Sequence, residues 1–379
     1  MAKGKTFFMI AFIITGFYVS QTEFHFKIEA WTTKPAQTHR KGTKSTLPYL
    51  ILLYTPYFGG NWESKYPTGI STTDCNVRKQ CEFTTQHERI HSSDIVLFHG
   101  NDLLAPQDMQ KIPRNPQQIW LFMTQENPFT VNTGKYRLGD YNNLFNWTAT
   151  YYHKSEIITP YYDVIERKHQ IEAILIEKEV GSKSNLVFSV MSNCVKFRID
   201  FVNSLKRYLE VDLYGKCKNK VNPGLSHCER NTKECFKLQA KYKFFLAVEN
   251  FYCTDYVTEK FYEESLWKGL VPIMINGGKL RNRRIAPPHS YINVLDFKSA
   301  KELADYINYL DRNQTAYLEY HKWRRDYEIV PHNYKCNLCR SINKKFNRVK
   351  RWRAKNLDDF WSPKMCKRYE NKVFQKYLI

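Results

Sequence analysis

Residues 242–261 read YKFFLAVENFYCTDYVTEKF, and the order of residue types there sets the architecture of the chain. An apolar run at 244–248 ends in Glu249-Asn250, as a buried strand ends where its carboxyl terminus meets polar surroundings. Thr258 is suited to cap a helix running to Lys268, and Gly269 to stop it. A second apolar run follows at 271–275, with Gly277-Gly278 as the next turn. Strand, loop, helix and strand in that order describe a parallel α/β unit, whose ligands gather at the carboxyl ends of the strands.

The same alternation extends outward. Strand-like runs occur at 186–191, 211–214 and 292–295 on one side, and at 49–54, 94–99 and 119–123 nearer the N-terminus. Ser299-Ala300-Lys301-Glu302 has the form of a capping box, followed by Leu303, Tyr306, Ile307 and Leu310 at helical spacing. Residues 162–179 read as an amphipathic helix bridging two units. The expected fold class is α/β, with two Rossmann-like domains facing across a cleft, at 47–180 and 181–345. A polar stem at 21–46 precedes them and a basic extension at 346–379 follows.

The chain of 379 residues carries a formal net charge of +21, which calls for a polyanionic or phosphate-bearing partner. Nucleic acid is the obvious candidate, but three compartment signals weigh against it. The apolar run at 7–19 behind Lys3 and Lys5 reads as a short signal anchor within residues 1–20, with the remainder lumenal. Ten cysteines favour disulfides in that setting. A zinc site at Cys336 and Cys339 with Cys75 and Cys81 is the weaker alternative, because the spacing of Cys75 and Cys81 suits ligands poorly. Asn146 and Asn313 head N-glycosylation sequons.

Lys260 stands where a positive charge opposes a helix dipole, a placement better suited to an anion than to the fold. A helix start offers free N–H groups to a phosphate, and Glu249 or Glu259 can accept from ribose hydroxyls. An ordinary strand–loop–helix with surface charges is the alternative.

FFLAVEN followed by DYVTEKFYEESLWKGLVPIMING resembles the signature of the α1,3-fucosyltransferases. Residues 141–161, 189–198 with 211–217, and the pair Cys336 and Cys339 resemble further family segments in the family's order, over roughly 47–340. The resemblance implies a GT-B type, inverting enzyme that transfers fucose from GDP-fucose to a GlcNAc hydroxyl of glycoprotein N-glycans. It implies a Golgi membrane protein, single-pass type II, with GDP-fucose and glycan acceptors as partners and no nucleic acid. No metal is required for the chemistry, consistent with the absence of Asp-x-Asp from the sequence, although a divalent cation could stimulate.

Carried over by position, Arg198 and Lys260 contact the diphosphate. Asn193, Glu249, Asn250, Tyr256 and Glu259 complete the GDP-fucose site. Arg198 taken alone reads as a solvated helix residue. Glu126, in Thr124-Gln125-Glu126-Asn127-Pro128, is the general base, with Asn127 departing from the family's Glu-Ser-Pro. Phe98-His99-Gly100-Asn101-Asp102 departs from the His-His segment of Lewis-type members, which leaves core or distal GlcNAc acceptors open. For disulfides the resemblance implies that Cys75 and Cys81 join Cys336 and Cys339, and pairs Cys194 with Cys235. That leaves Cys217 with Cys228 and Cys253 with Cys366. The competing function is a lumenal glycan- or heparin-binding module using the basic run 344–355.

Overall fold

Runs that are apolar on both faces pair best in parallel between two covering layers, and the apolar runs do so here. The computed structural model describes residues 47–62, 75–131, 136–225, 228–229, 232–275, 285–346, 356–369 and 372–378. The expected anchor and stem, Gly277-Gly278 and most of the basic run lie outside these residues.

The first sheet comprises β1 (Tyr49–Leu53), β2 (Cys81–Thr84), β3 (Ile95–His99), β4 (Ile119–Met123), β5 (Trp147–Thr150) and β6 (Ile157–Ile158). Their order is β2-β1-β3-β4-β5-β6, parallel throughout. Alternation splits β1, β3 and β4 between two cores. Ile51, Leu97 and Leu121 face one cluster, whereas Leu52, Val96, Phe98, Trp120 and Phe122 face another. Phe122 is completely buried, and truncation to Ala would cost about 3–5 kcal/mol.

Next along the chain is β7 (Tyr162–Glu166), followed by β8 (Asn185–Val190), β9 (Val211–Tyr214), β10 (Tyr242–Ala247), β11 (Tyr252–Cys253), β12 (Val271–Met274) and β13 (Ile292–Asn293). The second sheet has the order β13-β12-β10-β8-β9, again parallel throughout. Two antiparallel pairs stand apart: β7 with β14 (Tyr327–Pro331), and β11 with β15 (Cys366–Lys367). The helix Ala300–Arg312 starts at Ser299, whose hydroxyl accepts from the Glu302 N–H, and buries Leu303, Ala304, Ile307 and Leu310.

Several expectations are corrected. Residues 162–179 are not one helix: 162–166 form β7, and the helix is Ala173–Gly181. The partner that extends β7, β14, lies far along the chain, beyond the reach of local periodicity. Residues 334–345 do not belong with the second sheet. The helix Tyr334–Lys345 buries Tyr334, Leu338 and Ile342 against the first sheet's core, fastened by Cys75–Cys336 and Cys81–Cys339.

Two expected disulfides are exchanged. Cys194 pairs with Cys217, and Cys228 with Cys235. The turn after β9 folds back so that the Cys217 N–H donates to the Met191 carbonyl at 3.0 Å, which brings Cys217 beside Cys194. Cys253–Cys366 is present as expected. All ten sulfurs are thus in disulfides, so the cysteines of the zinc alternative are occupied.

Asn146 lies at the entry to β5 and its Oδ1 accepts from the Trp120 N–H at 2.9 Å, while Asn313 caps the helix Gln314–Glu319. Among the described residues, no helix is long and apolar enough to cross a membrane.

Candidate functional site

β10 delivers Glu249 to the carboxyl edge of the second sheet, where it is buried at 3% exposure. Its Oε1 accepts from the Thr258 N–H at 2.9 Å and the Thr258 hydroxyl at 2.8 Å, and its Oε2 lies 3.1 Å from the Lys260 Nζ. Lys260 also reaches Glu259 Oε1 at 3.1 Å. Burial pulls the ammonium's pKa down, but Glu249 and Glu259 outweigh it and hold it above the ordinary lysine value. Glu249 is therefore a buttress for Thr258 and Lys260, whereas Glu259 is partly exposed.

The helix expected to run to Lys268 is a single turn, Glu259–Tyr262. The backbone then widens, with the Glu264 N–H donating to the Glu259 carbonyl, and the Ser265 hydroxyl bonds the Phe261 carbonyl. A 3₁₀ turn, Leu266–Lys268, leads to Gly269 at φ +68°. That left-handed conformation favours glycine, and any added Cβ would also collide with Glu179. One turn of helix carries little dipole, so attraction for an anion rests on the full charges of Lys260 and Arg198.

Arg198 is not solvated. It lies in the helix Lys196–Leu205 at 3% exposure, its Nη1 donating to the Asn193 carbonyl at 3.1 Å. Burial lowers its pKa, and Glu249 is the first charge opposing that. Its Nε has no partner, and a buried donor in that state costs about 1–3 kcal/mol until something accepts from it. Asn193 contributes its backbone, and its side chain is exposed.

β4 delivers Glu126 to the carboxyl edge of the first sheet. Its carboxylate accepts from the Thr130 hydroxyl at 3.1 Å and from the Tyr256 hydroxyl, on the donor-side loop, at 3.3 Å. Burial raises its pKa; the Thr130 bond opposes this, Glu259 adds to it, and Lys260 and Tyr256 oppose it. The neighbour Asn127 is fully buried and accepts from the Phe129 N–H at 3.0 Å, as a capping residue does. This explains how Asn stands where the family pattern has Ser. Asn127 also approaches Asn250, at 3.5 Å.

Thus Glu126, Tyr256, Glu259, Lys260, Glu249 and Arg198 converge, with Asn250 at the seam and Asn193 as a backbone support. Sequence reasoning missed Thr130, which holds Glu126, and Tyr369, whose hydroxyl donates to the Glu249 carbonyl at 3.1 Å. Thr130 was within reach as a hydroxyl four residues from Glu126, whereas nothing local marks Tyr369. A third group also emerges. His99 is buried and bonded to Asp102, whose carboxylate accepts from the N–H groups of Phe58 and Gly59, each at 2.7 Å. This holds Phe58 exposed at φ +49°, beside Tyr57, whose hydroxyl donates to Gln125. No group of His, Cys, Asp and Glu placed to hold a metal occurs among the described residues.

Two family profiles match the chain: "Fucosyltransferase, N-terminal" over residues 47–162, and "Glycosyltransferase family 10 (fucosyltransferase) C-term" over 180–360. The glycoprotein 3-alpha-L-fucosyltransferase A of Drosophila melanogaster is 31% identical, covering 90% of this chain and 73% of its own length. A bovine 3-galactosyl-N-acetylglucosaminide 4-alpha-L-fucosyltransferase is 30% identical, over 75% of this chain and 74% of its own. Among solved structures, an α1,3-fucosyltransferase crystal structure shares the fold, with a TM-score of 0.52 at 18% identity, over 85% of this chain and 96% of that one.

Proposed function

The chain belongs to glycosyltransferase family 10, the fucosyltransferases, and from that premise we propose that it transfers fucose from GDP-fucose to a GlcNAc hydroxyl of N-glycans in α1,3 linkage, with inversion and with Glu126 as the base. The observation that carries this reading is the meeting of Glu126 from the first sheet with Tyr256 from the donor side, within the field of Glu259 and Lys260.

The step balances on these residues. Glu126 takes the proton of the acceptor hydroxyl as its oxygen attacks the anomeric carbon from the face opposite GDP. The bond from that carbon to the phosphate oxygen breaks, and the electron pair leaves with GDP. A carboxylate whose pKa is raised by burial is better matched to this work than an ordinary one. Lys260 and the unpartnered Nε of Arg198 stabilise the charge growing on the diphosphate. Phe58, exposed on the first sheet's carboxyl edge, offers a ring face to the acceptor sugar.

The reading extends to residence in the Golgi membrane through the N-terminal apolar run as a type II protein, supported by the complete pairing of cysteines, which suits an oxidising lumen. The test is incubation with GDP-fucose and GlcNAc-terminated or core N-glycans, with linkage and anomeric configuration read by NMR. An α1,3-linked product of inverted configuration is expected. A retained configuration, or binding of glycans without transfer, would overturn the proposal, and the latter would favour the heparin- or glycan-binding alternative.

A further inference from the structure

The sequence presents residues past 346 as a basic extension, yet their described part buries Leu357, Trp361, Tyr369, Phe374 and Tyr377. Leu357 and Trp361 are fully buried in the first sheet's aromatic core, where Trp361 packs edge-on against Tyr151 with centroids 5.1 Å apart. Phe374 and Tyr377, fifteen or so residues on, are fully buried in the core of the second sheet. Between them Tyr369 stacks on Phe197 at 4.3 Å, on the same helix as Arg198. Residues 356–369 and 372–378 therefore pack against both halves of the site, as a strap.

Where it crosses, the strap grips the donor-side loop 249–258 repeatedly. The Tyr369 hydroxyl donates to the Glu249 carbonyl at 3.1 Å. β15 pairs with β11 inside the loop, placing Cys366 opposite Cys253, and the two are disulfide-bonded. The Thr254 N–H and hydroxyl both donate to the Met365 carbonyl, at 3.0 and 3.1 Å. Tyr252 packs edge-on against Phe374 at 5.0 Å. One residue beyond this grip, Asp255 sits at φ +61°, an uncommon conformation for a residue with a side chain, and next to it is Tyr256. A loop held in such a conformation keeps it only when its surroundings over-determine it.

We propose that the C-terminal strap positions the catalytic geometry: Cys366 and Tyr369 are positioning residues that set loop 249–258 so that the Tyr256 hydroxyl meets Glu126. This rests on the reading of Glu126 as the base. The strap fixes the last ångström between the two halves of the site, a distance on which rate depends steeply.

The test is a double-mutant cycle on the full-length chain, joining the paired change Cys253→Ser with Cys366→Ser to Tyr256→Phe, with kcat as the readout and GDP titrated separately. If the strap acts through Tyr256, the serine pair lowers kcat by about tenfold, and adding Tyr256→Phe costs little more, because one contact is lost only once. Additive losses, or an undiminished kcat in the serine pair, would overturn the proposal. Should the serine pair fail to fold, Tyr369→Phe decides. It keeps the ring stack and the disulfide and removes one hydroxyl, so Tm should drop by only a few degrees while kcat, read well below Tm, falls about threefold. An unchanged kcat there contradicts the strap's role. Glu126→Gln separates the two levels: if that variant turns over normally the base assignment fails, whereas an inactive Glu126→Gln beside fully active strap variants rejects the strap alone.

Discussion

Glu126 and Glu249 are the same residue in equivalent places, each just past the carboxyl end of a buried parallel strand, and the fold uses them oppositely. Glu249 is bound by a backbone N–H, a hydroxyl and an ammonium, so its charge is committed to holding Thr258 and Lys260. Glu126 is bound by two hydroxyls, with Lys260 acting only at a distance, and burial raises its pKa. The lesson is that position on the sheet brings a carboxylate to the sheet's carboxyl edge, while its partners decide what it holds. Ion-paired, a carboxylate is fixed in place; held by neutral hydroxyls, it is suited to the base proposed at Glu126.

Substitutions that keep shape and remove charge break this contrast in graded ways. Glu126→Gln should cost the most, lowering kcat by about 10²–10⁴-fold while GDP affinity, read by equilibrium titration, stays close to wild type. Glu249→Gln should act on the scaffold instead. It removes one anionic partner of a mostly buried lysine that keeps Glu259, a loss of about 1–3 kcal/mol visible as a lowered unfolding midpoint. Equal effects of both glutamines on kcat at unchanged stability would erase the distinction. Lys260→Ala should weaken GDP binding by about tenfold to a hundredfold, as expected for loss of a charge-assisted bond. An unchanged affinity would remove Lys260 from the diphosphate.

The parts legible in the sequence are those written into consecutive residues. β4 coincides with its apolar run because every residue in it is buried, and Ser299 caps its helix as its spacing to Glu302 predicts. Glu126 is legible as a candidate because it follows a strand end, where α/β folds place chemistry, and Lys260 because its charge opposes a helix start. What is not legible depends on distant chain. β7 needs β14, more than 160 residues on, and Tyr369 reaches Glu249 across 120 residues. Arg198 reads as solvated from its own helix, since its burial comes from neighbours such as Tyr369 that no local pattern reveals. The exchanged disulfides fail for a similar reason. The turn that joins Cys217 to Cys194 is fixed by backbone bonds to Met191, not by the order of cysteines.

The smallest of the expected effects tests the central claim most directly, because it removes only the hydroxyl that Tyr256 gives to Glu126. A base works as its carboxylate, so kcat/KM falls as pH drops through the pKa of Glu126. The Tyr256 hydroxyl favours the charged form, and removing it raises that pKa further. The other ionisable groups facing Glu126, namely Glu259, Lys260, Tyr151 and Tyr161, are untouched by the change. The pH dependence of kcat/KM in Tyr256→Phe should therefore show its acid limb displaced upward by about half to one pH unit relative to wild type. A limb that stays in place, or moves to lower pH, would mean that the carboxylate bonded to Tyr256 is not the base.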